Sequence, residues 1–289
     1  MTSNIKNVIS FMNMKGGVGK TTICVNIAGQ LAKEGHKVLI IDNDPQMNAS
    51  QYLLKPSDIE EQVHNGKTIY SLYKDLTDEN LYDITGGAID DEESKDKDII
   101  VNCRENLYLV CGDLNMTKVN DVSAIDELSL FINNNKLKEN FEFIFIDCPP
   151  TQSFYTNSAF KASDFYLLVI KPDFLSTVGL ALFTKMITNY NKKRNVEEKL
   201  NSLGVIVNLY QKSNEYHSKK IEEIKEKFKF SKVFKTSIIN NINIARASEK
   251  QELMYETSRC KTHIKNLTKE FIEEYNKKVI RWLMLIQWI

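Results

Sequence analysis

KGGVGKTT, residues 15–22, is the stretch from which the rest of the chain is read. It follows a short apolar, β-prone run, Val8–Met12. A helical pattern comes after it, from Thr21 to about Glu34, with Ile23, Ile27, Ala28 and Leu31 on one face and Gly35 as a stop. A glycine-rich turn between a buried strand and a helix N-terminus is a ready anion site. Glycines let backbone N–H groups close around the ligand, and the first helical turn presents unpaired donors and the positive end of its dipole. The stretch lacks the leading glycine of the G-x-x-x-x-G-K-[ST] pattern and carries Lys15-Gly16 instead, which leaves that physics unchanged.

Outward from this loop, the chain repeats one theme. Lys37–Asp42, Phe143–Asp147, Phe165–Ile170 and Leu203–Leu209 are continuous apolar runs separated by helix-length segments. Fully apolar strands alternating with helices predict an α/β fold: a doubly wound, mostly parallel sheet flanked by helices, of the phosphate-loop NTPase type, in a single domain spanning 1–289. Residues 56–105 interrupt the rhythm, are polar and acidic, include DDEESKDKD at 90–98, and are read as a peripheral insertion. Ser218–Phe228 has the pattern of a solvent-facing amphipathic helix, and Thr262–Tyr275 that of another. A C-terminal helical tail is expected over 262–289, ending in the apolar VIRWLMLIQWI at 279–289.

The composition, 42% hydrophobic and 26% charged, is that of a globular protein, not of a disordered or fibrous one. The five cysteines include no C-x-x-C pair, which argues against a disulfide framework or zinc site and for a cytoplasmic setting. Residues 1–10 lack the apolar core of a signal peptide, and no run approaches the ~20 apolar residues that span a bilayer. The net charge of zero hides a division: residues 1–184 hold 16 Lys and Arg against 26 Asp and Glu, residues 185–289 hold 22 against 12. So basic a C-terminal third can face a polyanion, DNA or an anionic membrane, although well-solvated helices would look the same.

The chemistry then falls on named residues. Gly16, Gly17, Val18 and Gly19 wrap the phosphates of a nucleotide, with Thr22 closing the loop. Lys20 reaches the β- and γ-phosphates of ATP, and Thr21 offers its hydroxyl to Mg2+. Asp147 ends a buried strand, where a magnesium-bound water needs a carboxylate. Asp42 and Asp44 end another beside the loop: either could orient the attacking water, and Asp42 is a second candidate near the metal. Lys15 has no local task in an ordinary phosphate loop. Pointing out of its own subunit, it would contact the nucleotide of a facing copy and stabilise charge in trans, making ATP the glue of a homodimer.

Together KGGVGKTT, VLIIDNDPQMNAS at 38–50 and FEFIFIDCPP at 141–150 resemble the ParA/MinD family of phosphate-loop ATPases, more loosely supported by ASDFYLLVIKP at 162–172 and VFKTSIINNINIARAS at 233–248. The resemblance implies that Lys15 is the signature lysine of an ATP-sandwiched dimer, that Asp44 is the acid required for hydrolysis, that Asp147 is the magnesium-associated acid, and that Asn208 contacts the adenine. DPQ followed by Asn-Ala-Ser is closer to the short ParA partitioning branch. That branch implies a cytoplasmic, nucleoid-associated bacterial ATPase whose ATP dimer binds DNA without sequence preference and is released when a ParB-like centromere-binding protein stimulates slow hydrolysis. Two departures stand out. Met47 takes the place of a frequent glycine. At 239–251, Ile239, Asn240, Asn243 and Gln251 replace a Pro-Arg-Asn-Val-Arg run and a later glycine. With two expected basic residues missing, Lys212, Lys219, Lys220, Arg246 and Lys250 become the DNA-contact candidates.

Two rivals carry different expectations. A MinD-like membrane-cycling ATPase would use the apolar tail, preceded by Lys277 and Lys278, as an interfacial anchor. Because the tail is apolar nearly all round, packing onto the core is the favoured reading over lipid. A regulatory adaptor would bind ATP and barely turn it over. Nitrogenase-reductase-like relatives need paired cysteines that this spacing does not offer.

Overall fold

The computed structural model describes residues 5–74, 99–119, 122–211, 213–228, 231–258 and 260–286. The acidic run at 90–98 and the DNA-contact candidate Lys212 lie outside them, as do the last three residues of the tail. Seven strands form one sheet: Val8–Met12 (β1), Val38–Asp42 (β2), Ile100–Arg104 (β3), Leu107–Val110 (β4), Phe143–Asp147 (β5), Phe165–Ile170 (β6) and Asn201–Val207 (β7). Their order is β3-β4-β2-β5-β1-β6-β7, parallel except for the antiparallel edge pair β3–β4. Every residue of β1, β2, β5 and β6 is buried, as expected of parallel strands covered on both faces. This is the doubly wound sheet that the apolar runs predicted.

Period-two alternation sorts each strand onto two cores. Ile9, Phe11, Val38, Ile40, Phe143 and Phe145 face one layer, which contains α1 (Lys20–Lys33) and the C-terminal helix. Val8, Met12, Leu39, Ile41, Ile144 and Ile146 face the other. That second layer is built from the helices α4 (Glu127–Asn134), α6 (Phe154–Ala162), α7 (Phe174–Asn191) and α8 (Glu215–Lys227). The helices α2 (Asn48–Leu53), α3 (Pro56–His64), α5 (Leu137–Asn140), α9 (Ile242–Glu249) and α10 (Lys261–Ile286) complete the set used below.

Within 56–105, Pro56 begins α3 at its first turn, and Ile69 and Tyr73 are fully buried. The end of this stretch is β3, an edge strand. Apolar-run reading missed β3 and β4 because they are short and because β3 is only half-buried and carries Asn102 and Arg104. The amphipathic pattern at 218–228 does form a helix, α8, which buries His217 and Ile224. The predicted helix at 262–275 runs on to Ile286. In its last turns Trp282 is buried, whereas Ile280, Leu283, Met284 and Leu285 are exposed. Among the described residues no helix is long and apolar enough to cross a membrane.

Candidate nucleotide-binding site

The sheet places three chain ends side by side. Asp42, last in β2, is in register with Asp147, last in β5, and Asp147 is paired in turn with Phe11 of β1. β1 is where the chain order reverses: its α1 crossover leads to β2 on one side, while β6 and β7 lie on the other. The carboxyl edge at such a switch point is where open α/β sheets form their crevice.

The loop Lys15–Gly19 leaves β1 there and turns into α1. Gly19 caps the helix with φ 82°, and Gly17 has φ 70°, both left-handed. A Cβ on Gly19 would lie 2.2 Å from Nδ2 of Asn208, so neither the backbone nor the space admits a side chain. Above the loop opens a cleft of about 820 Å³. Gly16, Gly17, Gly19, Lys20, Thr21 and Thr22 form its floor, with Asp44 and Pro150 beside them. Asn48, Gln51 and Tyr52 of α2, Ile59 and Glu60 of α3, and Ser248, Glu249 and Gln251 also line it.

Behind the floor sits a buried charged cluster. Thr21 donates its hydroxyl to Oδ2 of Asp147 at 2.6 Å. Asp147 is fully buried and its Oδ1 has no hydrogen-bond partner. Burial, then repulsion from Asp42, raises its pKa to about 8, against the hydrogen bond from Thr21 and the charge of Lys20. Lys20 is itself buried; desolvation lowers its pKa, opposed by Asp147, Cys148 and Asp44. A cation and an anion of nucleotide chemistry would relieve both stresses. A hydroxyl and an unpartnered carboxylate oxygen fit magnesium, and Thr21 and Asp147 are the residues that would hold it. Bound there, the ion would neutralise phosphate charge. Among the described residues no group of three or more His, Cys, Asp or Glu forms a metal cluster.

The other expected residues fall in different places. Asp44 lines the cleft, its Oδ1 accepting from the Gln46 amide at 2.9 Å. Asp42 does not reach the cleft. Its Oδ2 accepts from the amide and the hydroxyl of Ser50, at 2.8 and 2.6 Å, and burial holds its pKa at about 6. It anchors α2, and Ser50 Oγ in turn accepts from the Gly112 amide. Asn208 does not line the cleft either: it is buried and donates Nδ2 to the Val18 carbonyl at 2.8 Å, bracing the loop from beneath. Val18 is buried under the loop. Lys15 stays within its own subunit, its Nζ 2.5 Å from Oδ2 of Asp173. Arg246 and Lys250 are exposed near Asn243 at or just beyond α9, whereas Lys219 and Lys220 lie apart on α8, Lys220 pairing with Glu223 at 2.7 Å.

Sequence reading missed Asn26, a fully buried polar residue one helical turn after Thr22. It bonds Tyr52 of α2 and the Met254 amide, tying the cleft walls to α1. Its only signal was an asparagine on the face that α1 buries.

A family profile described as an AAA domain matches residues 6–202, which include the loop and all three acids. The chain belongs to the ParA/MinD-type phosphate-loop ATPases. The ParA/MinD-type chain is 28% identical over 245 residues to the sporulation initiation inhibitor protein Soj of Bacillus subtilis, a match covering 83% of this chain and 87% of that one. Its fold is shared with a plasmid partition protein of Borrelia burgdorferi bound to AMPPNP, with TM-score 0.68, 22% identity, and coverage of 94% and 99%. It is shared equally with cobyrinic acid a,c-diamide synthase of Mycobacterium smegmatis with a bound ATP analogue and magnesium, with TM-score 0.71, 19% identity, and coverage of 94% and 96%. The last two likenesses establish fold alone, since one fold carries several functions.

Proposed function

We propose that this chain is an ATP-hydrolysing DNA-partitioning protein. Two copies close around ATP and Mg2+, the pair holds DNA without sequence preference in the cytoplasm at the nucleoid, and a ParB-like partner stimulates hydrolysis and releases it. The observation that carries the reading is the convergence of Lys20, Thr21 and Asp44 on one cleft with Lys15 at the root of the same loop. Lys20 and Thr21 serve the phosphates and the ion, Asp44 orients water towards the γ-phosphate, and Lys15 is the group left over for a facing copy. The α9 segment supports coupling of nucleotide to DNA. Ser248 and Glu249 face the cleft, while Arg246 and Lys250 are exposed close by. Lys and Arg contacts to phosphate supply affinity that needs no base recognition.

A membrane-cycling role is the second reading, and the exposed Ile280, Leu283, Met284 and Leu285 favour it. Both are tested by parallel binding to random-sequence DNA and to anionic liposomes with ATP, ADP or no nucleotide. ATP-dependent, salt-sensitive DNA binding without liposome binding is the expected result. Liposome binding that is lost on deleting residues 279–289, with DNA ignored, would replace partitioning by the membrane reading.

A further inference from the structure

The contact between Lys15 and Asp173 is built into the frame of the site. Asn13, at the end of β1, accepts the Lys15 amide at 2.8 Å and donates to the Val169 carbonyl of β6 at 2.6 Å. The loop root is thereby fixed against the strand whose exit carries Asp173, and the Asp173 amide bonds the Lys171 carbonyl at 2.8 Å. From these two fixed backbones the side chains meet at 2.5 Å, with 32% and 23% of their surfaces exposed. Lys15 does not line the cleft over the phosphate loop.

We infer that Asp173 is a positioning residue that keeps Lys15 in its own subunit, so that two chains close around ATP only after each lysine has exchanged this carboxylate for the partner's phosphates. The inference rests on the reading of Lys15 as a lysine that acts in trans. Before closure, a lone chain with ATP bound has its signature lysine neutralised and turned away. The exchange is favoured only where a phosphate chain is presented from across the interface, which discriminates against closure on empty or poorly charged sites. A half-exposed ion pair contributes little, up to about fivefold in an equilibrium constant. A symmetric dimer breaks two of them, so removing the carboxylate shifts dimerisation by up to about twenty-five-fold.

The test is sedimentation of the full-length chain over a range of concentrations with Mg2+ and a non-hydrolysable ATP analogue, at low salt and near 1 M salt. Asp173→Asn and Asp173→Ser are expected to dimerise at several-fold lower concentration than wild type at low salt. The gap should narrow at high salt, where the wild-type pair is screened. Lys15→Ala and Lys15→Ala/Asp173→Asn are expected to stay monomeric alike. Asp173 variants that dimerise no better than wild type at low salt would overturn the inference, and so would rescue of dimerisation in the double variant. Lys15→Ala that dimerises as wild type does would instead overturn the trans reading of Lys15 itself.

Discussion

Two non-glycine residues near the cleft adopt the left-handed backbone that glycine takes most easily. Met47 and Gln251 have positive φ, 57° and 58°. Gln251 is held there by its own side chain, which donates to the Leu54 carbonyl, and by Arg104, which donates to its backbone oxygen. Comparing glycine with alanine at each position isolates the backbone cost, since both remove the side chain. The glycine variant is expected to be the more stable by about 1 kcal/mol in urea unfolding. The buried acids make a second prediction. Burial keeps Asp147 and Asp42 protonated in the fold to about 8 and about 6, whereas the unfolded chain releases those protons near pH 4. Raised carboxylate pKa values stabilise the folded state at low pH and lose that contribution as pH rises through the folded values. The Tm of the ligand-free protein in EDTA should therefore fall from about pH 5 to pH 8, with Asp147→Asn flattening the upper part; a rise across that window would contradict the assignment. For catalysis, Asp44→Ala should leave ATP binding intact and lower kcat by about a hundredfold or more, measured with and without a ParB-like partner. Equal turnover would remove Asp44 from the mechanism.

At the scale of elements, α10 is both a core helix and a surface. Its first half seals the sheet: Phe271 is fully buried, its ring 5.8 Å from that of Phe143 and 5.5 Å from that of Phe145. In its last turns Trp282 is buried, with Lys6 4.9 Å from the centre of that ring. Phe271→Ala should therefore cost about 3–5 kcal/mol in denaturant unfolding, the loss for an aromatic removed from a close-packed core. Leu283→Ser, at a 41% exposed position, should stay within about 0.5 kcal/mol. A large destabilisation by Leu283→Ser would mean that the terminal turns are packed more tightly than this structure shows. The described part of the tail is thus neither wholly core nor wholly free: Trp282 is buried, whereas Ile280, Leu283, Met284 and Leu285 on the same helix are exposed.

For the whole molecule, the arrangement of charge decides where a polyanion can sit. The basic residues of 185–289 are spread over α8, α9, α10 and the segments between and before them, and some are paired: Lys220 with Glu223, Lys225 with Glu222, Lys232 with Glu270. Arg246 and Lys250 are exposed beside the nucleotide cleft. Charge reversal at both, Arg246→Glu with Lys250→Glu, should weaken ATP-dependent DNA binding uniformly across sequences. It should also flatten the slope of log affinity against log salt by about 2 for each chain of the dimer, roughly 0.9 for each DNA phosphate that is no longer neutralised. An unchanged slope would move the interface to another face, with Lys219 on α8 the next to test.

Much of this protein was written locally. Four of the five apolar runs begin or end within a residue of a strand, because a strand buried on both faces must be apolar throughout, and that leaves a contiguous mark. The loop at 15–22 was legible because glycine, lysine and threonine at fixed offsets are what a phosphate demands of a backbone. What the tertiary structure alone decided depends on residues distant in sequence. Nothing near Asp42 says that Ser50 will occupy its oxygens, and nothing near Asn208 says that it will lie under Val18, 190 residues earlier. β3 was invisible because edge pairing stabilises a half-polar strand that carries no apolar signature of its own. Lys15 is the clearest case: its presence beside a phosphate loop marks it in the sequence, but the carboxylate that holds it follows β6, 158 residues later, and only the folded sheet brings the two together.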